Sequence, residues 1–132
     1  MKRTIQLLSL IGSLLIIAAC GNSTTNNEGT DKGYTEIEAT DEVKSLMDEG
    51  VQVIDVRTSE EFAEGHIPGA TLIPLDELSD RTGELEKDKK YIIVCRSGNR
   101  STQASEILVK EGFSNIYNFT GGMNGWEGEI EK

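Results

Sequence analysis

One segment of this chain combines a thiol with several groups that bind anions. It follows an apolar run at residues 91–94 and consists of Cys95, Arg96, Ser97, Gly98, Asn99, Arg100 and Ser101. A tight loop between a buried strand and a helix turns backbone N–H groups towards its centre, and the helix dipole adds positive potential there. Gly98 can adopt the positive φ that such a loop often needs, and Asn99 tolerates it better than most residues. We therefore expect residues 96–101 to bind an anionic substrate.

The same surroundings favour ionisation of the Cys95 thiol. A free thiol has a pKa of about 8.5, which helix N-termini and neighbouring cations lower. Arg96 and Arg100 are two such cations in an otherwise acidic chain. Because the thiolate is the nucleophilic form, we predict that Cys95 is the catalytic nucleophile. The alternative interpretation is that Cys95 serves only as a small buried apolar residue, in an ordinary turn between a strand and a helix.

Alternating strands and helices are predicted to position this loop. Apolar, β-branched runs predict strands at residues 34–37, 51–56, 71–73, 91–94 and 116–119. Helical patterns and caps predict helices that follow Thr40, run from Thr58 through Ala63, occupy parts of 75–85, and span 101–111. This order predicts an α/β fold with a mainly parallel central sheet and helices on both faces.

Asp55 and Arg57 lie at the end of one predicted strand, and Cys95 lies at the end of another. In parallel sheets, ligands bind beyond the carboxyl ends of the strands. We therefore expect these residues to meet at one site. Asp55 and Arg57 are predicted to form a supporting charge pair that braces the loop of residues 95–101, called the active loop below. The alternative is that they contact the substrate directly.

Four segments of the chain resemble, in order, the signatures of rhodanese domains. They are residues 55–57 (Asp-Val-Arg), 65–70 (Gly-His-Ile-Pro-Gly-Ala), 95–101 and 121–126 (Gly-Gly-Met-Asn-Gly-Trp). The resemblance implies the α/β rhodanese fold and a structural turn at His66. It also implies that Cys95 takes a sulfane sulfur from a donor such as thiosulfate and holds it as a persulfide. The sulfur then passes to a thiol or cyanide acceptor, and no metal or organic cofactor is required.

Two other functions remain open at this point. A Cys-dependent phosphatase or arsenate reductase has a similar loop, but one with an additional residue between its Cys and Arg. Four residues separate Cys95 from Arg100, and the shorter ring suits one sulfur atom better than a tetrahedral phosphate. The second alternative is a non-catalytic module that binds or senses at the membrane surface.

The N-terminus has the pattern of a bacterial lipoprotein signal. Lys2 and Arg3 precede an apolar stretch that ends in Ile-Ala-Ala before Cys20. We predict a signal peptide at residues 1–19, a lipidated Cys20 with a flexible tether over 20–33, and a rhodanese domain over 34–132. The alternative is an uncleaved signal anchor. Both interpretations place the domain outside the cytoplasm, at the bacterial cell envelope.

Composition limits the partners. The chain has 132 residues, which suffice for one folded domain, and a formal net charge of −10. An acidic surface argues against nucleic acid, whose phosphates are held by clustered Lys and Arg. We expect a monomer that meets a small sulfur donor and an acceptor while its lipid holds it at the membrane.

Overall fold

The structure is a computed structural model that describes residues 31–132. The predicted signal peptide, the predicted lipidation site Cys20 and most of the predicted tether lie outside the described residues. Within this range no helix has both the length and the apolar character that crossing a bilayer requires.

Strands and helices alternate along the described chain. The strands are β1 (Thr35–Ile37), β2 (Gln52–Asp55), β3 (Thr71–Leu72), β4 (Tyr91–Val94) and β5 (Ile116–Phe119). The helices are α1 (Thr40–Asp48), α2 (Ser59–Glu64), α3 (Leu75–Arg81) and α4 (Asn99–Lys110), with 3₁₀ turns at Thr82–Glu84 and Met123–Gly125.

The five strands form one parallel sheet in the order β1-β5-β4-β2-β3. The predicted α/β fold is therefore confirmed. Asp55 at the end of β2 lies opposite Val94 at the end of β4. Because the strands are parallel and in this register, the segments that follow β2 and β4 emerge side by side at one edge of the sheet.

Both faces of β4 are buried, and its side chains alternate between two cores. Ile92 packs in the core that contains Val43 of α1. Ile93 and Cys95 pack in the opposite core, with Leu108 of α4. The period of two along a strand therefore places the Cys95 side chain on the sheet face that α4 covers.

Helix α1 begins one residue earlier than its predicted cap implies. Thr40, expected at the N-cap, is the first helical residue, and Ala39 occupies the cap position. The Thr40 hydroxyl instead donates to the carbonyl of Gly125 over 3.1 Å and accepts from the N–H of Glu127 over 3.0 Å. The C-terminal segment, residues 125–132, thus binds the hydroxyl that the sequence predicts as the cap of α1.

Helix α4 begins at Asn99, whereas the sequence places its start at Ser101. Gly98 precedes it with a φ of 92°, so the left-handed turn falls on the glycine and Asn99 is helical. Two hydroxyl groups, those of Ser101 and Thr102, donate to the Gly98 carbonyl over 3.1 and 2.8 Å. Arg100 and Ser101 therefore belong to the first turn of α4 rather than to the loop.

Candidate active site

The Cys95 sulfur lies at the N-terminus of α4. It accepts a hydrogen bond of 3.1 Å from the N–H group of Gly98. Its thiol donates to Ser101 Oγ over 3.5 Å, and that hydroxyl can rotate to donate to a thiolate instead. Cys95 is 1% exposed. The arrangement is an oriented set of donors around one sulfur atom, as the loop pattern predicts.

The pKa of the Cys95 thiol is lowered on balance by this loop. Burial is the largest single effect and raises the pKa, but the hydrogen bonds from the Ser101 hydroxyl and from the N–H groups of Ser101, Ser97 and Gly98 together outweigh it. The sequence predicts this direction but assigns much of it to the arginines. In the structure, the loop hydrogen bonds are the principal lowering contributions.

A second loop, which follows β5, holds the backbone of the Cys95 loop. The N–H of Met123 donates to the Cys95 carbonyl over 2.8 Å, and that of Asn124 donates to the Arg96 carbonyl over 3.0 Å. Gly122 lies so close that a Cβ atom there would be 2.5 Å from the Arg96 oxygen. The turn at residues 121–126 therefore fixes where the chain leaves β4.

Gly98 is subject to the same steric limit from the other side. A Cβ at this position would lie 2.5 Å from the Thr120 carbonyl oxygen. The positive φ and the close approach of this second backbone both require glycine. The two loops therefore contact each other backbone to backbone, and this contact fixes the course of the chain beside Cys95.

Both arginines of the loop bind one carboxylate, that of Glu61 in α2. Arg100 makes a bidentate pair with it over 2.7 and 2.9 Å, and Arg96 Nε adds a third bond of 2.9 Å. The sequence predicts that Arg96 and Arg100 face an anionic substrate. In the structure their cationic groups face a protein anion, because α2 lies beside the loop.

Glu61 is the residue that sequence reasoning missed. Its visible signal is the capping box of α2, and that box is present: the Thr58 hydroxyl accepts from the Glu61 N–H, and the Glu61 carboxylate accepts from the Thr58 N–H. The same carboxylate also reaches the two arginines. The capping box is a sufficient local reason for a glutamate at position 61, so the sequence gives no sign of its second, long-range role.

Asp55 and Arg57 form the predicted charge pair. Arg57 Nη2 lies 2.7 Å from Asp55 Oδ2, and the two residues are 5% and 0% exposed. The guanidinium also donates to the Gly65 carbonyl over 2.8 Å. These contacts run to the end of α2 and not to residues 95–100. The predicted bracing of the active loop is therefore not made through a hydrogen bond from this pair to residues 95–100.

His66 lies in a turn that is held by the C-terminal segment. Its ring stacks on Phe62 with centroids 3.6 Å apart, and Nδ1 is 2.9 Å from the Phe62 carbonyl. Its main chain exchanges two hydrogen bonds of 2.9 Å with Glu131. These contacts are structural and do not involve Cys95.

Arg81, whose role the sequence leaves open, binds Glu77 and Glu84.

A cleft of about 260 Å³ lies beside the loop, between α2 and the C-terminal segment. Its lining includes Glu61, Glu64, Arg96, Met123, Trp126 and Ile130. Larger clefts, of about 350 and 470 Å³, lie away from Cys95. The size of a cleft therefore does not identify the candidate site. The hydrogen-bonding groups around the Cys95 sulfur identify it instead. Among residues 31–132, no group of three or more His, Cys, Asp or Glu side chains could hold a metal ion.

Comparison with known proteins gives relatives over most of the described chain. The chain is 45% identical over 88 residues to the putative sulfurtransferase YtwF of Bacillus subtilis, across 67% of this chain and 84% of that protein. It is 34% identical over 88 residues to the thiosulfate sulfurtransferase GlpE of Pseudomonas aeruginosa, across 67% and 80%. Its match to the putative sulfur carrier protein YrkF of Bacillus subtilis spans only 45% of that protein's length, at 40% identity over 84 residues, or 64% of this chain.

Solved structures agree. A rhodanese-like domain protein from Staphylococcus aureus superposes with a TM-score of 0.67 at 41% identity, covering 74% of this chain and 96% of that one. The family model of the rhodanese-like domain matches residues 39–129, which include every strand except β1 and all four helices. The chain therefore belongs to the rhodanese family.

Proposed function

We propose that this protein is a sulfurtransferase that moves a sulfane sulfur from thiosulfate or a similar donor to a thiophilic acceptor through a persulfide on Cys95. The Cys95 thiolate attacks the outer sulfur of thiosulfate. A new S–S bond forms as the old one breaks, and its electron pair leaves with sulfite. A thiol or cyanide acceptor then attacks the terminal sulfur and returns the electron pair to Cys95. No oxidant or reductant is consumed.

The observation that carries this proposal is the position of the Cys95 sulfur among loop donors. The Gly98 N–H group and the Ser101 hydroxyl contact the sulfur, and the loop lowers the pKa of the thiol. Donors fixed around a sulfur before reaction stabilise the negative charge that the thiolate and the persulfide carry. Family membership supports sulfur transfer in general, and the named relatives YtwF and GlpE are described as sulfurtransferases.

Formation of thiocyanate from thiosulfate and cyanide tests the activity. We expect the wild-type protein to turn over and Cys95→Ser to be inactive at equal folded concentration. Equal rates for the two proteins would refute the proposal. Activity on an aryl phosphate that depends on Cys95 would favour the phosphatase alternative, and unchanged cellular function in Cys95→Ala would favour a binding module.

The substrate-binding role of residues 96–101 is part of the same proposal. Arg100 is 30% exposed at the site, whereas Arg57 is 5% exposed and its Nε and Nη2 groups bind Asp55 and the Gly65 carbonyl. We therefore expect Arg100→Ala to raise KM for thiosulfate more than Arg57→Ala does. The opposite order in steady-state assays would contradict this placement of the donor.

We also propose that Cys20 carries a lipid and that the domain acts at the outer face of a bacterial membrane. The support is the sequence of residues 1–33 alone. Metabolic labelling with a radioactive fatty acid tests it, with Cys20→Ser as the control. Label in the wild-type protein alone would agree with the proposal, whereas label in neither protein would contradict it.

A further inference from the structure

The two cationic groups of the active loop share one protein carboxylate. Glu61 accepts three bonds from Arg96 and Arg100, all between 2.7 and 2.9 Å. The arginine side chains are 53% and 30% exposed, whereas the Glu61 side chain is 16% exposed. The negative charge is therefore the least exposed member of the cluster, and it contacts both guanidinium groups.

The Glu61 carboxylate is also fixed from its own helix. It accepts from the N–H and the hydroxyl of Thr58, each over 3.2 Å. The hydrogen bond from Arg100 holds the pKa of this carboxyl well below its usual range; burial acts in the opposite direction, and the bonds from Thr58 and Arg96 outweigh it together with Arg100. Glu61 is therefore ionised across the pH range in which the thiolate reacts, and it remains an acceptor for both arginines.

A fixed anion at this position changes which donors the loop favours. Coulombic energy scales with the charge of the ligand, so one protein charge acts twice as strongly on a dianion as on a monoanion. Resting on the sulfurtransferase function proposed above, we infer that Glu61 sets donor selectivity by offsetting one of the two positive charges that Arg96 and Arg100 bring to the loop. It disfavours doubly charged donors such as thiosulfate relative to singly charged persulfides of small thiols.

The transfer from such a persulfide balances without a further reactant. The Cys95 thiolate attacks the terminal sulfur of the donor, RS–S⁻, and forms a new S–S bond. The donor S–S bond breaks, and its electron pair leaves as the thiolate RS⁻. Both negative charges are retained: one lies on the new persulfide of Cys95 and the other on the departing thiolate. No oxyanion is formed in this step.

Glu61→Gln in the full chain tests the inference. Gln suits the same capping position, so α2 retains its N-terminal motif while the charge is lost. We expect KM to fall about tenfold for thiosulfate and about threefold for cysteine persulfide. The binding free energy gained by the dianion is twice that gained by the monoanion, so its factor in KM is the square of the other. With both donors, kcat should change less than KM. The matched control is Glu60→Gln, which removes the same charge from an exposed position on the same helix.

Two outcomes for KM would overturn the inference. One is an unchanged thiosulfate KM in Glu61→Gln, and the other is an equal fall in KM for both donors. A fall in kcat with both donors, together with a lower unfolding midpoint, would show that Glu61 only supports the loop and would also overturn it. If the proposed function itself is wrong, the wild-type protein will accept sulfur from neither donor. Measuring the wild-type protein with both donors therefore distinguishes failure of the function from failure of the inference.

Discussion

Replacing Gly122 by alanine should disrupt the contact between the two loops. Gly122 has φ 58° and ψ −166°, a region that is essentially restricted to glycine and costs other residues about 1–3 kcal/mol. The new Cβ would lie 2.5 Å from the Arg96 oxygen and 2.8 Å from the Cys95 oxygen. Relieving that overlap separates the loops and weakens two hydrogen bonds, each worth about 0.5–1.5 kcal/mol. We expect a total loss of about 2–6 kcal/mol.

Urea unfolding followed by the fluorescence of Trp126, the single tryptophan, measures this loss. The matched control is Gly125→Ala, because a Cβ at Gly125 meets no atom within 4 Å. We expect the control to unfold within about 0.5 kcal/mol of wild type and to keep its rate of sulfur transfer. The reasoning is refuted if Gly122→Ala has the stability and the rate of the control.

Two further predictions follow from the buried polar groups. Arg57→Met leaves a fully buried carboxylate without its cation, and we expect the free energy of unfolding to fall by about 3–5 kcal/mol in urea titrations; a loss below about 1 kcal/mol would contradict this. Ser101→Ala removes a hydroxyl that favours the thiolate, so the pKa of Cys95 should rise. The pH profile of alkylation by iodoacetamide should then move to higher pH. Ser97→Ala keeps its backbone N–H group and should not shift the profile.

The central strands and the position of Cys95 could be predicted from the sequence. The runs that became β2 and β4 are apolar and rich in β-branched residues, because strands buried on both faces need such side chains throughout. Cys95 directly follows the second run, so its position at the edge of the sheet follows from the strand assignment. Gly98 marked the turn because a left-handed conformation restricts the choice of residue.

Contacts between distant segments could not be predicted in the same way. Glu61 reaches Arg96 and Arg100, which lie 35 and 39 positions away, and no local pattern reports that distance. The Thr40 hydroxyl serves the C-terminal segment 85 positions later instead of capping α1. In both cases a residue suited to a helix cap also met a partner that only the packing of the elements brings near.

Intact-protein mass spectrometry after exposure to thiosulfate tests the central claim most directly. We predict that the full-length protein gains the mass of one sulfur atom, that dithiothreitol removes it, and that fragmentation places it on Cys95. Cys95→Ser should gain nothing under the same conditions. No added sulfur on the wild-type protein, or equal addition to Cys95→Ser, would contradict the account.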